Sequence, residues 1–204
     1  MGIADGMGGK SGGEIASQAA IAAVSALLEK NPAASIPQLI AEAKQAVASK
    51  SLEFEEHADM ATTLSLALIR NGQAEIGHVG DCRIYHLRGN GLVSRTKDQT
   101  EVQRLIDDGI LSKQRARDYH RRNILLSVIN ATGAFELQEN AFETEPGDRL
   151  ILLTDGAYSL IRKDEIRDIS LRSESLDELL AEMQRVIESG KVRDDYSAVA
   201  CQVN

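Results

Sequence analysis

The sequence predicts an α+β domain of antiparallel sheets covered by helices, and three observations carry that expectation. Apolar residues recur at helical spacing up to about Val47, the period drops to two from Met60, and an amphipathic helix followed by an alternating strand closes the chain. Runs of helix and runs of strand that stay apart in this way argue for antiparallel sheets with helices packed on them. At 204 residues the chain suits one domain, residues 1–204, with a sizeable core.

Taken in order, Ile15, Ala19, Ala22, Ala23, Ala26 and Leu27 follow a period of 3.6 and predict a helix over residues 13–30. Ser35 and Gln38 form a capping-box pattern that opens a second helix through Ile36, Leu39, Ile40, Ala43 and Val47. Leu64, Leu66 and Leu68 then share one face of a strand, with Thr63, Ser65 and Ala67 on the other. Asn71-Gly72 signals a tight hairpin into a strand from Gln73 to about Gly80. A third strand, Arg83 to Leu87, returns toward Gly89-Asn90-Gly91, and the expectation is an antiparallel meander.

Residues 99–123 are polar, carry short helical patterns and show no strand period, which predicts a flap over about 99–130. Strands resume near Phe135 to Glu143 and at Arg149 to Leu153. Ser175 and Glu178 form a second capping box before Leu176, Leu179, Leu180, Met183, Val186 and Ile187, and Ser197 to Val203 alternates as the last strand.

Composition excludes several classes of function. A net charge of −8 argues against a nucleic-acid partner, and 3% aromatic residues with no Trp leave little for base stacking. The apolar stretch Ala19 to Leu28 is too short to span a bilayer and follows no basic region, so the expectation is a protein without membrane association. Two cysteines, Cys82 and Cys201, fit a reduced, cytoplasmic setting.

Chemistry concentrates at five acidic motifs. They are Ala4-Asp5-Gly6-Met7-Gly8-Gly9, Gly80-Asp81-Cys82-Arg83, Thr96-Lys97-Asp98, Thr154-Asp155-Gly156 and Arg193-Asp194-Asp195-Tyr196-Ser197. Each sits at an element boundary, and glycines beside Asp5, Asp81 and Asp155 allow close backbone approach. Carboxylates at strand ends can converge and hold hard cations through oxygen. Aspartate is also common at turns, so any one motif alone reads more readily as structural. A phosphate-binding P-loop at Asp5 to Ser11 fails because Ala4 stands where that pattern needs Gly.

With Thr62-Thr63, these motifs in this order resemble the metal-dependent (PPM-type, type-2C) Ser/Thr protein phosphatases. Met7, where many eukaryotic members have His, points to the bacterial branch. The resemblance implies a four-layer αββα sandwich and hydrolysis of phosphoserine and phosphothreonine in proteins by a metal-activated water. It implies two Mn²⁺ or Mg²⁺ ions and a third, weaker one. Asp5 would bridge the two ions, with the Gly6 carbonyl on one; Asp155 and Asp194 would complete the other; Asp98 with Asp155 would take the third. Asp81 would brace its turn, and His78, His120 and both cysteines would be structural. Partners would be phosphoproteins made by a Ser/Thr kinase.

The resemblance has departures. Family members carry an N-terminal strand with an acidic ligand and a phosphate-binding Arg, whereas Met1 stands four residues before Asp5; Lys10 cannot replace a bidentate Arg. Gln99 and Asp195 stand where His and Asn are frequent. The alternative is therefore a metal-binding, non-catalytic interaction domain. Arg115, Arg117, Arg121 and Arg122 give the flap positive charge for docking an incoming phosphoprotein, a reading that weighs equally with a plain solvated helix pair.

Overall fold

Alternating side chains on two strands sort the core into layers. In β4 (Leu64–Arg70), Leu64, Leu66 and Leu68 face helices α1 (Gly9–Lys30) and α2 (Ile36–Glu53), while Ala67 faces the opposite way. In β10 (Arg149–Leu153), Leu150 and Leu152 meet Ala67, Ile76 and Ile84, while Ile151 and Leu153 pack on the C-terminal helices. Both strands bury two faces, and the result is a helix–sheet–sheet–helix sandwich. The structure, a computed structural model, describes residues 1–7, 9–53 and 58–204, with the side chains of residues 9–11 aside.

One sheet has the order β1 (Gly2–Ile3), β4, β5 (Gln73–Val79), β9 (Gln138–Glu143). The other runs β11 (Ala198–Gln202), β10, β6 (Arg83–Arg88), β7 (Gly91–Ser94). A small sheet joins β2 (Gly6–Met7), β3 (Ala61–Thr62) and β8 (Ile129–Asn130), and every pairing is antiparallel. The hairpin at Asn71-Gly72 forms as expected, with φ of 51° and 77°, a two-residue turn matched to strand twist.

The meander is corrected. β6 does not return along β5; it crosses at Gly80-Asp81-Cys82 into the other sheet and pairs β10 and β7. The far edge of β5 is filled instead by β9, with Gln73 opposite Glu143. Helix α1 begins at Gly9, earlier than its apolar spacing shows, because a run of glycine and serine has no period to read. Ser35 N–H donates to Gln38 Oε1 at 2.8 Å at the start of α2, and Ser175 caps α7 (Leu176–Ser189) through Glu178 N–H at 3.1 Å. The polar segment after residue 99 holds two short helices, α3 (Glu101–Asp107) and α4 (Lys113–Ala116). Two helices escaped the sequence reading: α5 (Asp155–Tyr158), one turn long, and α6 (Lys163–Arg172), whose apolar stripe is only Ile166 and Ile169; so did the short strands β1, β2, β7 and β8.

Register brings the acidic motifs to one end of the sandwich. Gly6 lies opposite Thr62, and Leu64 opposite Val79, so Asp5, Thr63 and Gly80 share the end of the first sheet. Leu153 pairs both Arg83 and Ala198, which sets Asp155 between the crossing and the segment before β11.

Candidate metal centre

Asp5 is held by its backbone, which frees its carboxyl. Its N–H donates to Thr63 Oγ1 at 2.9 Å, and its carbonyl accepts from Thr63 N–H at 2.8 Å and Thr62 Oγ1 at 3.0 Å. The Thr62-Thr63 pair thus acts as a clamp on Asp5. Gly6 packs against Gly13 of α1: a Cβ on Gly6 would stand 1.9 Å from the Gly13 carbonyl oxygen, so only glycine lets helix and strand meet here. Gly8 and the side chain of Lys10 lie outside the described residues.

Asp155 follows β10 at the start of α5. Thr154 locks that turn to the last motif: its N–H donates to the Ser197 carbonyl at 3.2 Å, and Ser197 N–H donates to Thr154 Oγ1 at 2.9 Å. Gly156 makes the closest approach, because a Cβ there would lie 2.2 Å from the Asp195 carbonyl oxygen. Asp194 Oδ1 accepts from Asp195 N–H at 2.9 Å, turning the segment toward an open cleft of about 970 Å³. Asp5, Gly6, Glu14, Thr154, Arg193 and Asp194 all line that cleft. Arg193 was quoted from sequence only as the start of the last acidic motif, and Glu14 was not singled out, because nothing beside it in α1 marks a cleft residue.

The electrostatics are those of crowded acids. The Asp5 carboxyl is pushed up to about 7, first by burial, then by the charge of Asp155, with Asp81 and Asp194 adding to it. Asp81 is likewise pushed up to about 7 by burial and then by Asp155 and Asp98, against the Tyr158 hydroxyl that donates to it at 3.3 Å. Asp81 therefore belongs to the acidic cluster as well as to its turn, which the sequence reading did not foresee. Among the described residues, no three His, Cys, Asp or Glu side chains close into one compact cage. The acids instead act on one another through their charges, Asp155 on both Asp5 and Asp81, and Asp98 on Asp81. An all-oxygen donor set of mutually repelling carboxylates fits a hard divalent cation, which would relieve that repulsion.

Asp98 sits in different company. Gln99 N–H donates to the Gly80 carbonyl at 2.8 Å, and Gly80 N–H donates to Gln99 Oε1 at 2.7 Å, so the segment is bound to the crossing. His78 supports it from below, with Nδ1 2.7 Å from Ser65 Oγ and Nε2 3.2 Å from the Lys97 carbonyl oxygen. Burial lowers the His78 pKa to about 4, so it is a neutral structural group, as expected. The Asp98 carboxylate is taken by Arg83: Nε donates to Oδ1 at 3.0 Å and Nη2 to Oδ2 at 2.7 Å.

The remaining candidates fall elsewhere. Cys82 is buried beside Thr63, and burial pushes its thiol far above the ordinary range, which removes it as a nucleophile. His120 lies with its ring tilted against Tyr119, 5.1 Å between ring centres, in the polar segment after residue 99. Of the four arginines named in the segment after residue 99, Arg121 is engaged by Glu101 through bonds of 2.7 to 3.1 Å, and Arg122 donates to the Arg117 carbonyl.

Comparison with known proteins gives one consistent answer. The family model described as protein phosphatase 2C matches residues 1–198. The serine/threonine phosphatase stp of Listeria welshimeri is 32% identical over 184 residues, covering 86% of this chain and 73% of that protein. The serine/threonine protein phosphatase PstP of Mycobacterium tuberculosis is 31% identical over 191 residues, which is 91% of this chain but 36% of that longer protein. Among solved structures, the catalytic domain of PstP in complex with two manganese ions superposes with a TM-score of 0.86 at 28% identity, covering 100% of this chain and 87% of that one.

Proposed function

The chain belongs to the protein phosphatase 2C family, and from that premise we propose that it is a bacterial metal-dependent phosphatase that removes phosphate from phosphoserine and phosphothreonine in proteins. The observation that carries this reading is the gathering of Asp5, Asp81 and Asp155 at one end of the sandwich, with Asp5 and Asp81 pushed up to about 7. Acids are rarely crowded this way unless a cation or a proton is meant to sit among them.

In this reading Asp5, the Gly6 carbonyl, Asp155 and Asp194 hold two Mn²⁺ or Mg²⁺ ions, and Asp98 stands at the place of a third. When bound, such ions supply Lewis acidity toward phosphoryl oxygens and lower the pKa of water. The chain's own residues position them. Thr62 and Thr63 fix Asp5, Thr154 ties Asp155 to the Asp194 segment, and the open cleft admits a phosphorylated side chain. No protein nucleophile is called for, in agreement with the buried Cys82.

The relatives are named Ser/Thr phosphatases, which favours turnover over the non-catalytic alternative. No described helix is long and apolar enough to cross a membrane. The free thiols of Cys82 and Cys201 support a reduced, cytoplasmic location, and a Ser/Thr kinase would supply the substrates. The test is Asp155→Asn: phosphate release from a phosphothreonine peptide should fall by at least about a hundredfold, with a melting temperature close to wild type. Retention of activity would remove Asp155 from the centre.

A further inference from the structure

The Arg83 charge acts on Asp81 of the acidic cluster, and the geometry of Arg83 is that of a lock. Both Asp98 oxygens accept from the guanidinium fork, at 3.0 and 2.7 Å, in a pair whose side chains are only 28% and 17% exposed. The guanidinium carbon lies 3.7 Å from the centre of the Tyr158 ring, and the Tyr158 hydroxyl donates to Asp81 at 3.3 Å. One aromatic ring therefore holds Arg83 on its face and Asp81 at its edge. Backbone ties fix the other partner, because Lys97 and Gln99, on either side of Asp98, are bonded to His78 and Gly80.

We propose that Arg83 is the resident cation of the Asp98 position, so that a metal ion reaches Asp98 only by displacing the guanidinium. The proposal rests on the phosphatase reading and refines its third ion. Arg cannot shed its proton, and a bidentate fork matches the carboxylate better than a point charge does. A divalent ion on Asp98 would face an adjacent unit positive charge in a partly buried site, where screening is weak. Withdrawal of Arg83 would also break its contact with the Tyr158 ring. The chain therefore holds its other ions without filling this position, and Asp98 serves to anchor the crossing between the sheets.

The experiment is a count of Mn²⁺ bound per chain, by equilibrium dialysis and by the paramagnetic signal of free Mn²⁺, on wild type, Arg83→Gln, Asp98→Asn and the double variant. Arg83→Gln should bind one ion more than wild type, or its weakest ion roughly tenfold more tightly. The double variant should lose that gain, and Asp98→Asn alone, which leaves Arg83 one acceptor oxygen and takes away the carboxylate charge from a position that no ion fills, should match wild type. Equal counts in Arg83→Gln and wild type would overturn the proposal. So would loss of an ion in Asp98→Asn, an arm that stands even if Arg83→Gln fails to fold. Mn²⁺ bound by none of the four would overturn it together with the phosphatase reading beneath it.

Discussion

Replacing Gly156 by Ala should damage activity far more than stability, because Gly156 is where the two acid-bearing segments touch. An added Cβ would lie 2.2 Å from the Asp195 carbonyl oxygen, 3.0 Å from its carbonyl carbon and 3.3 Å from Tyr196 Cβ. Two of these neighbours are backbone, so neither can rotate aside. An ordinary carbon–oxygen contact would require the Asp194-Asp195 segment to retreat by roughly 1 Å, and a misplacement of that size costs on the order of a hundredfold in rate. Stability should change little. Overpacking costs about 1–3 kcal/mol, but Gly156 lies in helix α5, where Ala is favoured by about 1 kcal/mol. Turnover of p-nitrophenyl phosphate with Mn²⁺ should therefore drop by one to two orders of magnitude, with urea denaturation shifted by no more than about 2 kcal/mol. A kcat within twofold of wild type would refute the claim that the Asp155 and Asp194 segments must be this close.

Two further outcomes follow from other parts of the molecule. His78 has its pKa lowered from 6.5 to about 4 by burial, so the unfolded chain takes up the proton first as pH falls. Its contribution is complete above about pH 6.5 and is lost on acidification toward 4, about 2 kcal/mol of it by pH 5; His78→Gln should lose less stability than wild type between pH 7 and 5 in urea denaturation. In the segment after residue 99, Glu101 already holds Arg121, so docking charge should come from the other three arginines. The triple change Arg115→Ala, Arg117→Ala and Arg122→Ala should raise KM for a phosphoprotein several-fold and spare p-nitrophenyl phosphate; equal effects on both substrates would show no role in docking.

What could be read from the sequence was local, and what could not depended on distant partners. Leu64, Leu66 and Leu68 alternate cleanly, and Asn71-Gly72 signals a tight hairpin, so β4 and β5 were legible, with Thr63 and Gly80 each just beyond the strand ends. β6 was legible as a strand but not in its placement. Its neighbour β10 is more than sixty residues away, and nothing in Arg83 to Arg88 says which sheet it joins. Helix α6 was missed because Lys163 to Arg172 is mostly charged and buries few apolar side chains. Five aspartate motifs, each at an element boundary, marked the site as a set, although any one of them alone reads as a turn. Arg83 was visible within Gly80-Asp81-Cys82-Arg83, yet its partner Asp98 lies fifteen residues on, and the pairing of β6 with β7, which continues from Tyr85 opposite Ser94 to Arg95 N–H on the Ile84 carbonyl, brings them together. The raised carboxyl of Asp81 was hidden for the same reason, because burial and the nearness of Asp155 are products of the fold.

The central claim is that clustered carboxylates at the shared end of the two sheets work by holding divalent cations. The most direct measurement is phosphate release from a phosphothreonine peptide by the wild-type chain, first stripped with a chelator and then titrated with Mn²⁺. The account predicts no turnover in the stripped protein and a saturable return of activity as Mn²⁺ is added, abolished again by excess chelator. Turnover that persists in the stripped protein would contradict it.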